Sequence, residues 1–176
     1  MQQLIKQQKG KEVSILDWNE LYSVQEKLDN YIEENHDLEG KDLFQEKCLA
    51  LLVELGELAN ETRCFKFWST KPRNEQSVIL EEYVDGIHFL LSLGLVKGYR
   101  FESAKIHKLN HSETQQFLSV FHESTHFHQQ PTEENYQNLF RNYLELGMLL
   151  GFTEEDIKNA YYHKNEINFQ RQNKGY

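Results

Sequence analysis

Two stretches of this chain carry apolar side chains at steps of three and four, with no proline inside either. The first contains Leu43, Phe44, Cys48, Leu51, Leu52, Leu55 and Leu58, and the second Ile79, Leu80, Tyr83, Val84, Ile87, Leu90, Leu91 and Leu95. Such spacing returns to one side of a 3.6-residue helix and to no consistent side of a strand, so it predicts two long helices, over about 42–61 and 75–97. Gly98 is suited to cap the second. The chain has only two prolines, Pro72 and Pro131, and both fall in polar stretches between periodic segments, where a missing N–H does no harm.

The same pattern extends to other segments. Trp18, Leu21, Tyr22, Leu28 and Ile32 predict a first helix over 17–34, with Asp17 as its N-cap. The run CFKFWSTKPRN at 64–74 is aromatic, then basic, then turn-like, and reads as a loop. Residues 101–108 read as a short helix, 112–121 carry apolar residues too sparse for an assignment, and the histidine-bearing run 122–132 reads as a loop. A further helix spans Leu139, Phe140, Tyr143, Leu144, Leu146, Met148 and Leu149 and is closed by Gly151. Thr153 with Asp156 resembles a capping box for a last helix that runs through Tyr161, Tyr162 and Asn165. No period-two stretch competes with these helices. The expectation is an all-α, single-domain helix bundle over 1–176, with 39 % hydrophobic residues for its core and the two strongly apolar helices at its centre.

The formal charge of −9 argues against a nucleic-acid binder, whose non-specific affinity comes from clustered Lys and Arg. A phosphorylated small molecule remains open to an acidic protein if metal ions bridge carboxylates to phosphate oxygens. Cys48 and Cys64 form no CxxC and read as reduced thiols. There is no run of about 18 apolar residues, and the N-terminus lacks a hydrophobic signal region. The chain is expected to be cytoplasmic, with neither a nucleic-acid nor a membrane partner.

Polar residues inside the two apolar helices are then the informative ones, because a buried charge must be paired or bound to metal. LLVELGELANE places Glu54 and Glu57 three residues apart on one helix, and LEEYVDGIHF does the same for Glu82 and Asp85. If the helices pack antiparallel, the pairs converge between them as an acidic metal site. Four like charges at close range either protonate or collect cations, and oxygen-only ligands select Mg2+ or Mn2+ over zinc. Single ExxE pairs are commonly just solvated helix faces, and Glu81 reads as one such bystander.

ELGELANE, FKFW, EEYVDGIHFLLS and the C-terminal KNEINFQRQNKGY, in this order and spacing, resemble the dimeric, all-α dUTPases of the all-α NTP pyrophosphatase superfamily. The resemblance implies hydrolysis of dUTP, and of dUDP as well, with Mg2+ (Mn2+ as a substitute) on Glu54, Glu57, Glu82 and Asp85, by a homodimer. It implies phosphate contacts from Lys164, Asn168 and Arg171, with Asn165 beside them, and base recognition by Gln25, Trp68, His88 and Phe89. The loop's Lys66 is counted with the substrate-binding residues. Some relatives carry an Asn four residues after that Gln; this chain has Asp29, which leaves the base preference open to a pyrophosphatase for dCTP or a modified nucleotide. Outside the enzyme class, the same acidic face would suit a non-catalytic helical interaction module. His122, His126 and His128 read as part of a solvated loop rather than as a transition-metal site.

Overall fold

The computed structural model describes residues 16–102 and 110–175. Among these residues there are six helices and no strand: α1 (Trp18–Asn35), α2 (Phe44–Thr62), α3 (Gln76–Lys97), α4 (Glu113–Gln129), α5 (Glu133–Leu149) and α6 (Glu154–Asn173). The short helix expected over 101–108 lies largely outside the described residues. Asp17 accepts from the Asn19 and Glu20 amides as the N-cap of α1, and Gly98 closes α3 in the left-handed conformation (φ +72°). Thr153 and Asp156 form a full capping box on α6.

One expectation is corrected. The run read as loop over 122–132 is largely helix, because α4 extends to Gln129 from a capping box in which Ser112 and Gln115 satisfy each other's backbone amides. Its apolar residues are few, but Phe117, Val120 and Phe127 are buried, and Gln116 reaches across to the Asn142 carbonyl of α5. The helix is held by tertiary burial rather than by a dense stripe. His122 and His126 therefore lie one turn apart, stacked with ring centroids at 6.1 Å. His128 bonds Gln45 and stacks on Phe44.

α3 is the hub of the bundle, packing on α1, α2, α5 and α6. Its pairing with α2 is antiparallel: Lys97 at the end of α3 covers the ring of Phe44 at the start of α2, 3.9 Å from its centroid, while Asn74 and Glu61 close the other end. At the α3–α5 crossing, Tyr83 and Tyr143 stack at 4.8 Å, and each hydroxyl donates to the other's backbone carbonyl. This exchange needs Gly86 and Gly147, since a Cβ on either would lie 1.9 or 2.3 Å from the opposing phenol oxygen. No helix among the described residues is long and apolar enough to cross a membrane.

Candidate functional site

Three carboxylates converge where α2 meets α3. Glu54, Glu82 and Asp85 each offer an oxygen within 4.8 Å of the others, and all three are partly buried. On α2, Glu54 lies at the edge of the buried stripe Leu51, Leu55 and Leu58, whereas Glu57 follows exposed Val53 by one turn and is itself exposed. Glu57 is thus outside the convergent trio, although its charge acts on both Glu54 and Glu82. Burial, then the charges of Asp85, Glu57 and Glu82, push the Glu54 carboxyl up to about 7. Burial also raises Glu82 and Asp85, the latter against the pull of Lys164.

Lys164 on α6 is buried and reaches this corner from the opposite side, its Nζ 2.6 Å from Asp85 Oδ2 and 2.9 Å from Glu81 Oε1. Burial opposes its charge, but hydrogen bonds to Asp85 and Glu81 outweigh that and raise its pKa. Glu81 is no bystander: the same hydrogen bond, then the charge of Lys164, lowers its carboxyl. Its place was visible in the sequence as an i, i+4 relation to Asp85, which lets one cation reach both.

A cavity of about 350 Å³ opens beside the trio. Glu54, Asp85, Lys164, Asn168 and Arg171 line its charged end. Positions 164, 168 and 171 repeat along one face of α6, so the segment that could have been a frayed tail is a cavity wall. Gln25, Asp29, His88 and Phe89 line the other end, with Lys47, Glu33 and Ser92 next to them. There His88 Nδ1 and Tyr161 Oη both approach Gln25 Oε1, at 2.7 and 2.8 Å, and Gln25 Nε2 donates to Asp29 Oδ1 at 2.7 Å. Asp29 Oδ2 accepts from Ser92 and from Lys47, the latter at 3.2 Å. Burial, then the charge of Lys164, lowers the His88 pKa to about 3, so this imidazole is neutral. Lys47, Ser92 and Tyr161 escaped the sequence reading, since each looked like a routine member of its helix.

The structure does not bring Trp68 or Lys66 to the cavity. Trp68 is 65 % exposed, edge-on to Phe65 and Phe67, and Lys66 lies 5.4 Å from the Phe65 ring centroid. Their loop is braced by Arg63, which donates to the Lys71 carbonyl and Ser69 Oγ.

An oxygen-only trio with no nitrogen or sulfur donor, beside a cavity whose wall carries Lys164, Asn168 and Arg171, defines an all-α protein able to hold a hard divalent cation next to a phosphorylated ligand. The family comparison narrows this class. Residues 17–176 match the model of a family described as dUTPase, and the chain belongs to that family. A comparison with curated proteins returns no significant match.

Proposed function

We propose that the protein hydrolyses dUTP to dUMP and pyrophosphate, accepts dUDP as well, depends on Mg2+ with Mn2+ as a substitute, and works as a homodimer. The observation that carries this reading is the single cavity that joins the carboxylate corner, the α6 wall and the amide and imidazole end. Its volume is of the order expected for a small-molecule site.

Glu54, Glu82 and Asp85 would hold the cation, with Glu57 as an outer carboxylate. Bound there, a divalent cation neutralises phosphate charge and makes a water more acidic for attack on phosphorus. The chain's own residues do the rest. Arg171 offers a planar fork and Lys164 a point charge to the phosphate oxygens, and Asn168 between them offers an amide donor. Lys164 also neutralises Asp85 and Glu81, so the acidic corner and the phosphates compete for one ammonium group. Gln25 and His88 address the base, and Phe89 packs against the sugar, where a 2′-hydroxyl would be crowded. Water attack at the α-phosphorus breaks the α–β anhydride and releases dUMP with the distal phosphates.

Trp68, Phe67, Leu49 and Val53 on the α2 side, and Leu118 on α4, are large apolar side chains left exposed in one subunit. Their exposure supports the homodimer, in which a second copy would cover them and would give the exposed aromatic loop a role at the partner's cavity.

The test is to incubate the purified protein with Mg2+ and dUTP, dUDP, dCTP, dTTP or UTP and to follow nucleoside monophosphate, pyrophosphate and phosphate. Selective conversion of the deoxyuridine nucleotides is expected. Preference for dCTP would overturn the base assignment, and no turnover of any would overturn the enzyme reading in favour of an interaction module.

A further inference from the structure

The base end of the cavity holds one residue whose hydrogen-bond role cannot reverse. Gln25 has three partners there: Asp29, His88 and Tyr161. A tyrosine hydroxyl can donate or accept, and a neutral imidazole can carry its proton on either nitrogen. Those two partners would satisfy the Gln25 amide in either orientation. A carboxylate only accepts, and the Asp29 side chain is held between Lys47 at 3.2 Å and the Ser92 hydroxyl, with side-chain exposures of 13 % for both Lys47 and Asp29.

The consequence runs along the chain of contacts. Asp29 forces Gln25 to present Nε2 to it and therefore Oε1 to His88 and Tyr161. Oε1 in turn forces the neutral His88 to carry its proton on Nδ1, which leaves Nε2 as a bare acceptor. That atom is buried and has no hydrogen-bond partner among the described residues. Gln25 Nε2 retains a second hydrogen, so the pair offers a donor and an acceptor of fixed polarity.

We propose that Asp29, clamped by Lys47 and Ser92, is a positioning residue that sets the Gln25 amide and the His88 tautomer together, and so selects a pyrimidine imide edge over an aminopyrimidine edge. Where uracil carries O4 and N3–H, cytosine carries an N4 amine and an unprotonated N3. The pair as polarised fits the first, and its reversal fits the second. The discrimination between deoxynucleotides rests on the function proposed above; the tautomer assignment does not.

The experiment compares the full chain with Asp29→Ala and Lys47→Met. Imidazole 1H–15N correlation spectra should show His88 protonated at Nδ1 in the parent protein and shifted toward the Nε2-protonated form in Asp29→Ala, with a partial shift in Lys47→Met. The ratio of affinities for the α,β-imido analogues of dUTP and dCTP with Mg2+ should fall at least about tenfold in Asp29→Ala, as expected when buried donors and acceptors are mispaired. The loss should appear in KM rather than kcat. His88 protonated at Nε2 in the parent protein would overturn the proposal, as would an unchanged tautomer and ratio in both folded variants. If the parent protein binds neither analogue, the nucleotide reading fails while the spectra still decide the tautomer. If Asp29→Ala does not fold, Lys47→Met decides both points.

Discussion

Glu54 is the residue on which burial and like charge act most strongly in the acidic corner, and its protonation sets a pH signature. Its carboxyl rises from an ordinary 4.5 to about 7, so between those values the folded protein holds a proton that the unfolded chain has released. His88, lowered to about 3, contributes stability that grows as pH rises to its ordinary 6.5, whereas the Glu54 contribution without metal is greatest below its own window and falls as pH rises through it. Glu82 and Asp85 are raised as well and add in the same sense, while Glu81 is lowered and opposes them weakly, being more than half exposed. In thermal melts of the metal-free protein across this range, the Tm of Glu54→Gln should gain on that of the parent as pH rises; a difference that shrinks would contradict the burial assigned to this carboxyl. The same variant, and Asp85→Asn, should lower dUTP turnover by about a thousandfold or more, the several kcal/mol of charge stabilisation that a metal supplies, with the helical CD spectrum unchanged. Near-normal turnover in either would rule out the proposed ligands.

Elements hold these residues in place through a few close contacts. The α3–α5 crossing depends on the Gly86 and Gly147 seats beneath two tyrosine rings, so Gly86→Ala, whose Cβ would meet Tyr143 Oη at 1.9 Å, should destabilise by roughly 2–3 kcal/mol or more. Each kcal/mol corresponds to about 2–4 °C in Tm for a chain of this size, which calorimetry resolves. Because Asp85 immediately precedes Gly86 on α3, the same substitution should also weaken metal binding. At α4 the capping box carries the N-terminus of a helix with a sparse apolar face, and Ser112→Ala should cost about 1 kcal/mol. That helix shows why propensity and periodicity underread this region: Phe117, Val120 and Phe127 are few, but each is buried in a helix that packs on α2 and α5, a surrounding that only the assembled bundle provides.

For the whole molecule, the expected linkage is between metal and folding. A cation that binds the trio only in the folded state raises stability by about 2.7 kcal/mol at a hundredfold excess over its Kd, so Mg2+ or Mn2+ should raise Tm at neutral pH and should do so less in Glu54→Gln. An unchanged Tm over a full titration would favour the interaction module. The proposed dimer makes a separate prediction: Val53→Glu or Leu118→Glu, at exposed apolar positions on α2 and α4, should shift the mass measured by light scattering from dimer to monomer while leaving the monomer folded.

The sequence by itself determined the helices other than α4, the place of α2 and α3 at the centre of the bundle and the identity of the acidic residues, because a 3.6-residue period and i, i+3 spacing are local properties that survive any packing. It also held the capping signals of α1 and α6 and the Lys164, Asn168 and Arg171 face. Only the tertiary structure decided which of the carboxylates converge, that Glu81 shares a lysine with Asp85, that Trp68 and Lys66 stand apart from the cavity within one subunit, and that Asp29 is clamped by Lys47 and Ser92. Those facts depend on how far each helix is rotated and on which long side chain crosses from a helix distant in sequence, and burial and hydrogen bonding between elements fix both.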